Sequence, residues 1–422
     1  DNGDDTYTCT VNTEAVFTNG DVTYTAQTAP IIYQNGINGY SEGAPASVAG
    51  ARKGGPGTNE DNLLAGYIFV GVGCRGKDSE VDGTAPACIV DLKAGVRYLK
   101  ASKDVLPGDT NKIFAAGSSA GGSVTALLAA SGNSSLYDSY LEEIGAIMDE
   151  TDDICGALVF CPIADLGIGA AAFEYLHDGE TTMKVGWGDV EPTDMTEFQA
   201  TMHEALVDSY KEYLGTLGMD ADEYQAAFLE QINTSITNYV DLYVEDTDAF
   251  AEENPALTYE DGTFSVADIT TFVSTYMSRS KTVPAFDTLD KSSNEAGLFD
   301  GEHFSENVLS ILESLADEYE EAAEAVDEYA AEITEERLLE VKLMSASTFL
   351  TGEEESTIAP YWRFRNGTLD GDLGSIAAFT MKKILDANGY DTDYDLIWGY
   401  GHTMADYAFE DIQTYIDAIC AE

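Results

Sequence analysis

The apolar residues of this chain fall into two patterns that divide it into three parts. Ile31–Tyr33, Tyr67–Val72, Lys112–Ala116 and Ala157–Cys161 are short apolar runs rich in β-branched and aromatic residues. Short, continuous runs of this kind predict strands buried on both faces. Between them, apolar positions recur at helical spacing, as at Ile89, Val90, Leu92, Val96 and Leu99 within Cys88–Lys100. Strands alternating with helices predict an α/β fold, a mostly parallel sheet with helices on both faces, beginning within residues 1–164. Over 165–345 the pattern becomes acidic, Tyr-rich, Ala-rich and helical, with Asn307–Met344 carrying helix-period apolar positions among glutamates. This block predicts a large, mostly helical lid inserted into the α/β core. The core pattern returns over 346–422, as a strand at Tyr361–Phe364, a helix at Ser375–Asn388, a strand at Tyr394–Trp398 and a closing amphipathic helix at Ala408–Ile419.

One junction between these elements carries chemistry. Gly117-Ser118-Ser119-Ala120-Gly121 follows a predicted strand and precedes the helical Val124–Ala130 run. A bare G-x-S-x-G is a weak signal, but strand–turn–helix is the setting a nucleophile elbow requires, with Ser119 at its centre. A serine hydroxyl needs a base, and the base needs an orienting acid. Of the four histidines, His402 directly follows the last predicted strand, where the chain order Ser, Asp, His puts the base. His203 lies in an acidic helical stretch and His303 in a polar lid segment, and both are expected on the surface; His177 could line a pocket. Asp370 and Asp372 both end the preceding strand, and Asp370 is the expected acid with Asp372 its competitor. Asp165, in Pro162-Ile-Ala-Asp165, is a weaker alternative. The oxyanion donors are expected to be the N–H of Ala120 and a backbone group near Gly39, in the Asn35–Tyr40 loop.

Composition narrows the partners. The 422 residues are 44% hydrophobic, enough for a sizeable core, yet 77 acidic residues face 20 basic ones, for a net charge of -57. Such a chain repels nucleic acid and anionic membranes. The charge is expected to form a solvated surface suited to a saline or extracellular setting. No apolar stretch reaches the roughly 20 residues a membrane helix needs. The polar opening Asp1-Asn2-Gly3-Asp4-Asp5 suits a secreted, mature chain whose signal has been removed. None of the six cysteines forms a C-x-x-C pair, so zinc-site spacing is absent. No metal or organic cofactor is expected. Cys155 and Cys161 bracket a strand spanning about 20 Å and cannot bridge each other. The remaining pairings, and the oligomeric state, stay open.

Several longer runs resemble the bacterial tannase (tannin acyl hydrolase) family: Gly66-Tyr-Ile-Phe-Val-Gly-Val-Gly-Cys-Arg75, Thr84-Ala-Pro-Ala-Cys-Ile-Val-Asp, Gly117-Ser-Ser-Ala-Gly-Gly, Cys161-Pro-Ile-Ala-Asp, Lys281-Thr-Val-Pro-Ala-Phe-Asp287, Arg365-Asn-Gly-Thr-Leu-Asp370 and Gly401-His402. The resemblance covers most of the chain and is weakest in the acidic lid and the first dozen residues. It implies an α/β-hydrolase fold with a large lid, a serine esterase mechanism through Ser119, Asp370 and His402, and a phenolic ester substrate. It also implies that Lys281, Glu295 and Asp372 grip the hydroxyls of a gallate ring; by themselves, Lys281 and Glu295 read as surface charges. The sequence departs from the family at Ser118, where threonine is usual, at Asn366, where histidine is common, and after His402, where Thr403-Met-Ala-Asp replaces a glycine-rich stretch. A feruloyl or chlorogenate esterase shares this mechanism and is the nearest alternative. A peptidase of the same fold and a non-catalytic hydrolase-like binding protein are the others.

Overall fold

The computed structural model describes residues 14, 16–19, 22–45, 59–163, 165–185, 190–407 and 412–421. Its centre is a six-stranded sheet of β1 (Ile31–Asn35), β2 (Ile68–Val72), β3 (Ile113–Ser118), β4 (Gly156–Phe160), β5 (Tyr361–Gly367) and β6 (Asp391–Ile397). The strands run parallel in the order β6-β5-β4-β3-β1-β2. Register aligns Ile31 with both Ile68 and Ile113, and Tyr361 with both Gly156 and Asp391. The fold is the mostly parallel α/β arrangement that the alternation of elements predicts, and it agrees with the α/β-hydrolase fold that the resemblance implies.

Burial on both faces explains the continuous apolar strands. Ile31, Tyr33, Ile113, Ala115, Ala157 and Val159 join one core cluster, with the helices α1 (Ala87–Ala101) and α2 (Ala120–Ala130). Ile32, Phe114, Leu158 and Phe160 point the other way, toward Ile412 and Ile416 of the C-terminal helix, Ile412–Ala421. Residues 408–411, the predicted start of that helix, lie outside the described residues.

The strand predicted at Tyr394–Trp398 in fact begins at Asp391. β6 is an edge strand whose outer half reads Asp391-Thr-Asp-Tyr-Asp395, and polar alternation of this kind hides a strand from a search for apolar runs. Asp393 is held there by Arg363 and Arg365 of β5. Asn307–Met344 is three helices rather than one pattern: Glu306–Leu315, Glu320–Glu332 and Glu335–Leu343.

Between β4 and β5 lie α3 (Gly169–Leu176), α4 (Glu197–Thr216) and α5 (Ala221–Tyr243) as well as those three helices. Their starts are locally encoded. Thr196 and Gln199 form a reciprocal capping box for α4, and the Asp220 carboxylate accepts from the N–H groups of Asp222 and Glu223 at the head of α5. Phe173, Met202, Leu206, Tyr210 and Phe228 bury into the same cluster as the sheet's helices, so this block shares one core with the sheet.

Candidate active site

Strand order reverses between β1 and β3, and the crevice beyond the carboxyl ends of strands at such a point is where open α/β sheets bind ligands. Two loops meet there. Ser119 follows β3 and caps α2; the Ile37–Tyr40 loop follows β1. Ser119 sits at φ 61°, a left-handed conformation that lifts its side chain clear of the sheet. Only glycines allow so tight a turn. A Cβ on Gly117 would lie 2.3 Å from Gly121 O, and one on Gly121 would lie 2.5 Å from Asn35 Oδ1. Asn35 binds the two loops together: its amide donates to Gly121 O at 3.1 Å and to Thr125 Oγ1 at 2.9 Å, and its Oδ1 accepts from Ile37 N.

The structure brings Ser119, His402 and Asp370 into one line. Ser119 Oγ lies 2.9 Å from His402 Nε2, and His402 Nδ1 lies 3.0 Å from Asp370 Oδ2. The carboxylate can only accept, so Nδ1 carries the proton and Nε2 is left to accept from the serine. Asp370 is fully buried, and its Oδ1 accepts from the N–H groups of Asp372 and Leu373. Burial penalises the Asp370 carboxylate, but His402 and these N–H groups outweigh it and hold its pKa below the ordinary value. Burial likewise disfavours the His402 cation, and the Asp370 charge outweighs it, so the imidazole is raised above its ordinary value. Asp372 takes a different place. Its Oδ2 is 3.9 Å from His402 Nε2, and its Oδ1 accepts from Ser280 Oγ at 2.9 Å and from Lys281 Nζ at 3.0 Å.

A cavity of about 180 Å³ opens in front of Ser119, lined among others by Asn38, Gly39, Ala120, Lys281, Glu295, Asp372 and His402. Lys281, Glu295 and Asp372, far apart in sequence, thus share one wall system. Glu295 is buried, its Oε2 has no hydrogen-bond partner, and burial holds its pKa above the ordinary value despite the nearby Lys281 ammonium. An unpaired carboxyl oxygen in a polar cavity has hydrogen-bonding capacity left over.

The other sequence candidates lie elsewhere. Asp165 accepts from Gly167 N and Ser347 Oγ and lines a different cavity. His177 is buried with Nδ1 on Glu180 and does not line the Ser119 cavity. The expectation that His203 and His303 are surface groups is wrong: both are buried, against Glu174 and Asp287 respectively. Their acidic partners come from other elements, which local polarity does not reveal. The side-chain amide of Asn366 has no hydrogen-bond partner on either atom. Cys74, Cys88, Cys155, Cys161 and Cys420 are free thiols, and Cys9 lies outside the described residues. Among the described residues, two groups offer metal-ligating atoms within 4.8 Å of one another, Cys161–Asp370–His402 and His303–Glu328–Glu332. In the first the acid and imidazole already bond each other; in the second Lys291 bonds both glutamates.

Supporting residues escaped the sequence reading. Asp406 pairs with Arg363 at 2.7 Å and Arg365 at 2.8 Å, fixing the segment after His402 onto β5. Asn294 lines the cavity and accepts from Lys77 Nζ at 2.6 Å. Arg363-Phe-Arg365 alternation within a strand was the available signal for the first; nothing local marks the second.

The BD-FAE family profile matches residues 46–224. No curated protein gives a significant sequence match. Among solved structures, tannase from Lactobacillus plantarum is 26% identical with a TM-score of 0.80, covering 96% of this chain and 88% of that one. Fusobacterium nucleatum tannase is 28% identical with a TM-score of 0.79, over 94% and 87%. A tannin acyl hydrolase in complex with ethyl gallate is 27% identical with a TM-score of 0.79, over 96% and 87%. With the fold described above, these likenesses make the chain a carboxylic ester hydrolase of the α/β-hydrolase fold. Within that class it resembles the bacterial tannases along almost its whole length.

Proposed function

We propose that this esterase hydrolyses galloyl esters through an acyl-enzyme on Ser119. Ser119 Oγ attacks the ester carbonyl while His402 Nε2 takes its proton. The oxyanion is held by backbone N–H groups at Ala120 and Gly39, and His402 returns the proton to the departing alcohol. Water then repeats the sequence and releases gallate. Asp370 keeps His402 in the accepting tautomer. Lys281, Glu295 and Asp372 meet the ring hydroxyls, and the helical block over 165–345 serves as the lid. The observation that carries this reading is the presence of three ionisable side chains, Lys281, Glu295 and Asp372, in one small cavity with Ser119. Three polar anchors match three hydroxyls better than a methoxyphenol, and a solved relative holds ethyl gallate. The BD-FAE match keeps a feruloyl esterase as the second reading.

Side-by-side kcat/KM for methyl gallate, methyl ferulate and methyl benzoate tests it. Gallate should lead, and Lys281→Ala and Glu295→Ala should each narrow the gallate-to-benzoate ratio, because a site built to bond hydroxyls rejects analogues that lack them. Ferulate in the lead would replace gallate with the second reading. We also propose that the chain works outside the cell, for which its charge is the support; fractionation of the producing cells tests this.

A further inference from the structure

Lys281 is held from behind. Arg279 is buried, and its guanidinium makes a two-pronged contact with Glu174 of α3, Nη1 to Oε2 at 2.8 Å and Nη2 to Oε1 at 2.7 Å. Its remaining donors reach forward along the chain. Nε donates to Lys281 O at 3.1 Å and Nη2 to Thr282 O at 3.4 Å. Glu174 is held in turn by His203 of α4, whose Nδ1 lies 2.6 Å from Oε2. The same guanidinium lies 5.4 Å over the Phe173 ring, Phe173 meets Phe286 edge-on at 5.7 Å, and Lys281 Nζ sits 5.5 Å over Phe286. Both the backbone and the ammonium of Lys281 therefore trace back to Arg279.

The same segment, Ser278–Ser280, also packs against Gly371 and Asp372. Ser280 N donates to Gly371 O at 2.9 Å, and Ser280 Oγ reaches Asp372 Oδ1. The two backbones are so close that a Cβ on Gly371 would fall 1.8 Å from Ser278 O.

We propose that Glu174, Arg279 and His203 are positioning residues that set acyl-ring specificity by fixing Lys281 and, through Ser280, Asp372. This deepens the galloyl-ester reading and rests on it. The physical reason is geometric. A buried ion pair gives little net stability over an apolar replacement of similar volume. A guanidinium's planar fork, however, fixes direction in a way an ammonium cannot. Lys281 and Asp372 must stand at set places around a ring, and displacements of about 1 Å can cost as much as 10²-fold in rate.

The experiment compares wild type, Arg279→Lys, Glu174→Gln, Lys281→Ala and the double variant Arg279→Lys/Lys281→Ala. It measures kcat/KM on methyl gallate, methyl benzoate and phenyl acetate, together with melting temperature. The expected result is a fall of about tenfold or more in the gallate-to-benzoate ratio for Arg279→Lys, carried by KM, with phenyl acetate turnover within about twofold. The double variant should fall below Lys281→Ala in that ratio by a smaller factor than Arg279→Lys costs alone, because the part acting through Lys281 is not additive while the part acting through Asp372 remains. His203→Phe, which removes a partner of Glu174 without removing a permanent charge, should move the ratio the same way by a smaller factor and guards against loss of folding in the other variants. If Lys281→Ala changes the ratio while Arg279→Lys and His203→Phe leave it alone, the positioning role is overturned and the galloyl reading stands. A parallel fall on all three esters likewise overturns it, leaving a structural role only. If Lys281→Ala itself leaves the ratio unchanged, the ring-recognition reading falls and this proposal with it.

Discussion

At the scale of single residues, the two carboxylates two positions apart make different predictions. Asp370 is bonded to His402 Nδ1, whereas Asp372 is bonded to Ser280 and Lys281. Asp370→Asn should lower kcat by about 10⁴-fold, since an amide can present its N–H to Nδ1 and push the imidazole into the wrong tautomer. Asp372→Asn should lower gallate hydrolysis more than phenyl acetate hydrolysis. Exchanged phenotypes would reassign the acid. Ser119→Ala should likewise lose about 10⁴-fold or more while gallate binding persists, measured by turnover and by equilibrium titration of the same variant. The pH dependence follows from His402. Only neutral imidazole accepts the serine proton, and Asp370 raises the pH at which it becomes neutral. The acidic limb of kcat/KM should therefore lie above the ordinary imidazole value of about 6.5. It should move toward lower pH in Asp370→Asn, on a much lower plateau. A limb that stays in place in that variant would assign it to another group.

At the scale of elements, the elbow is the joint between β3 and α2, and its tolerance is set by atoms from β1. Gly121→Ala would place a methyl 2.5 Å from Asn35 Oδ1 and 2.9 Å from Ile37 O. The loop after β1, which carries Gly39, must then shift. We expect a loss of activity on every ester, phenyl acetate included, and a lowered melting temperature. Val124→Ala, one turn along the same buried helix, should cost stability but largely spare kcat. Equal kinetic effects of the two would remove the special role given to the turn.

At the scale of the whole molecule, the charge of -57 acts on everything at once. A negative field favours the His402 cation from a distance and repels anionic ligands. Salt screens exposed charges beyond about 10 Å at 0.1 M. Raising salt from low to moderate should move the acidic limb to lower pH and raise the melting temperature, with little change in neutral-ester turnover on the plateau. Neutral esters should be preferred over esters carrying a free carboxylate, such as chlorogenate, and the preference should weaken with salt. A pH profile and melting temperature indifferent to salt would confine the charge to solubility.

The sequence by itself determined what is local. Continuous apolar runs marked β1, β3 and β4, because a strand covered on both faces has no polar side to show. The glycines around Ser119 marked the elbow, because only they fit that turn, and chain order marked His402. Resemblance, not spacing, singled out Lys281 and Glu295, which read alone as surface charges. Tertiary structure decided the rest. It separated Asp370 from Asp372 by placing one on each side of the imidazole, a distinction that two residues of sequence cannot contain. It buried His203, His303, Arg279 and Arg365, because their counter-charges arrive from segments 16 to 105 residues away. It hid the edge strand β6 behind its own acids, whose partners are arginines on the neighbouring strand. Burial of a charge depends on what packs against it, and in this chain that is set by long-range contacts rather than by neighbours in sequence.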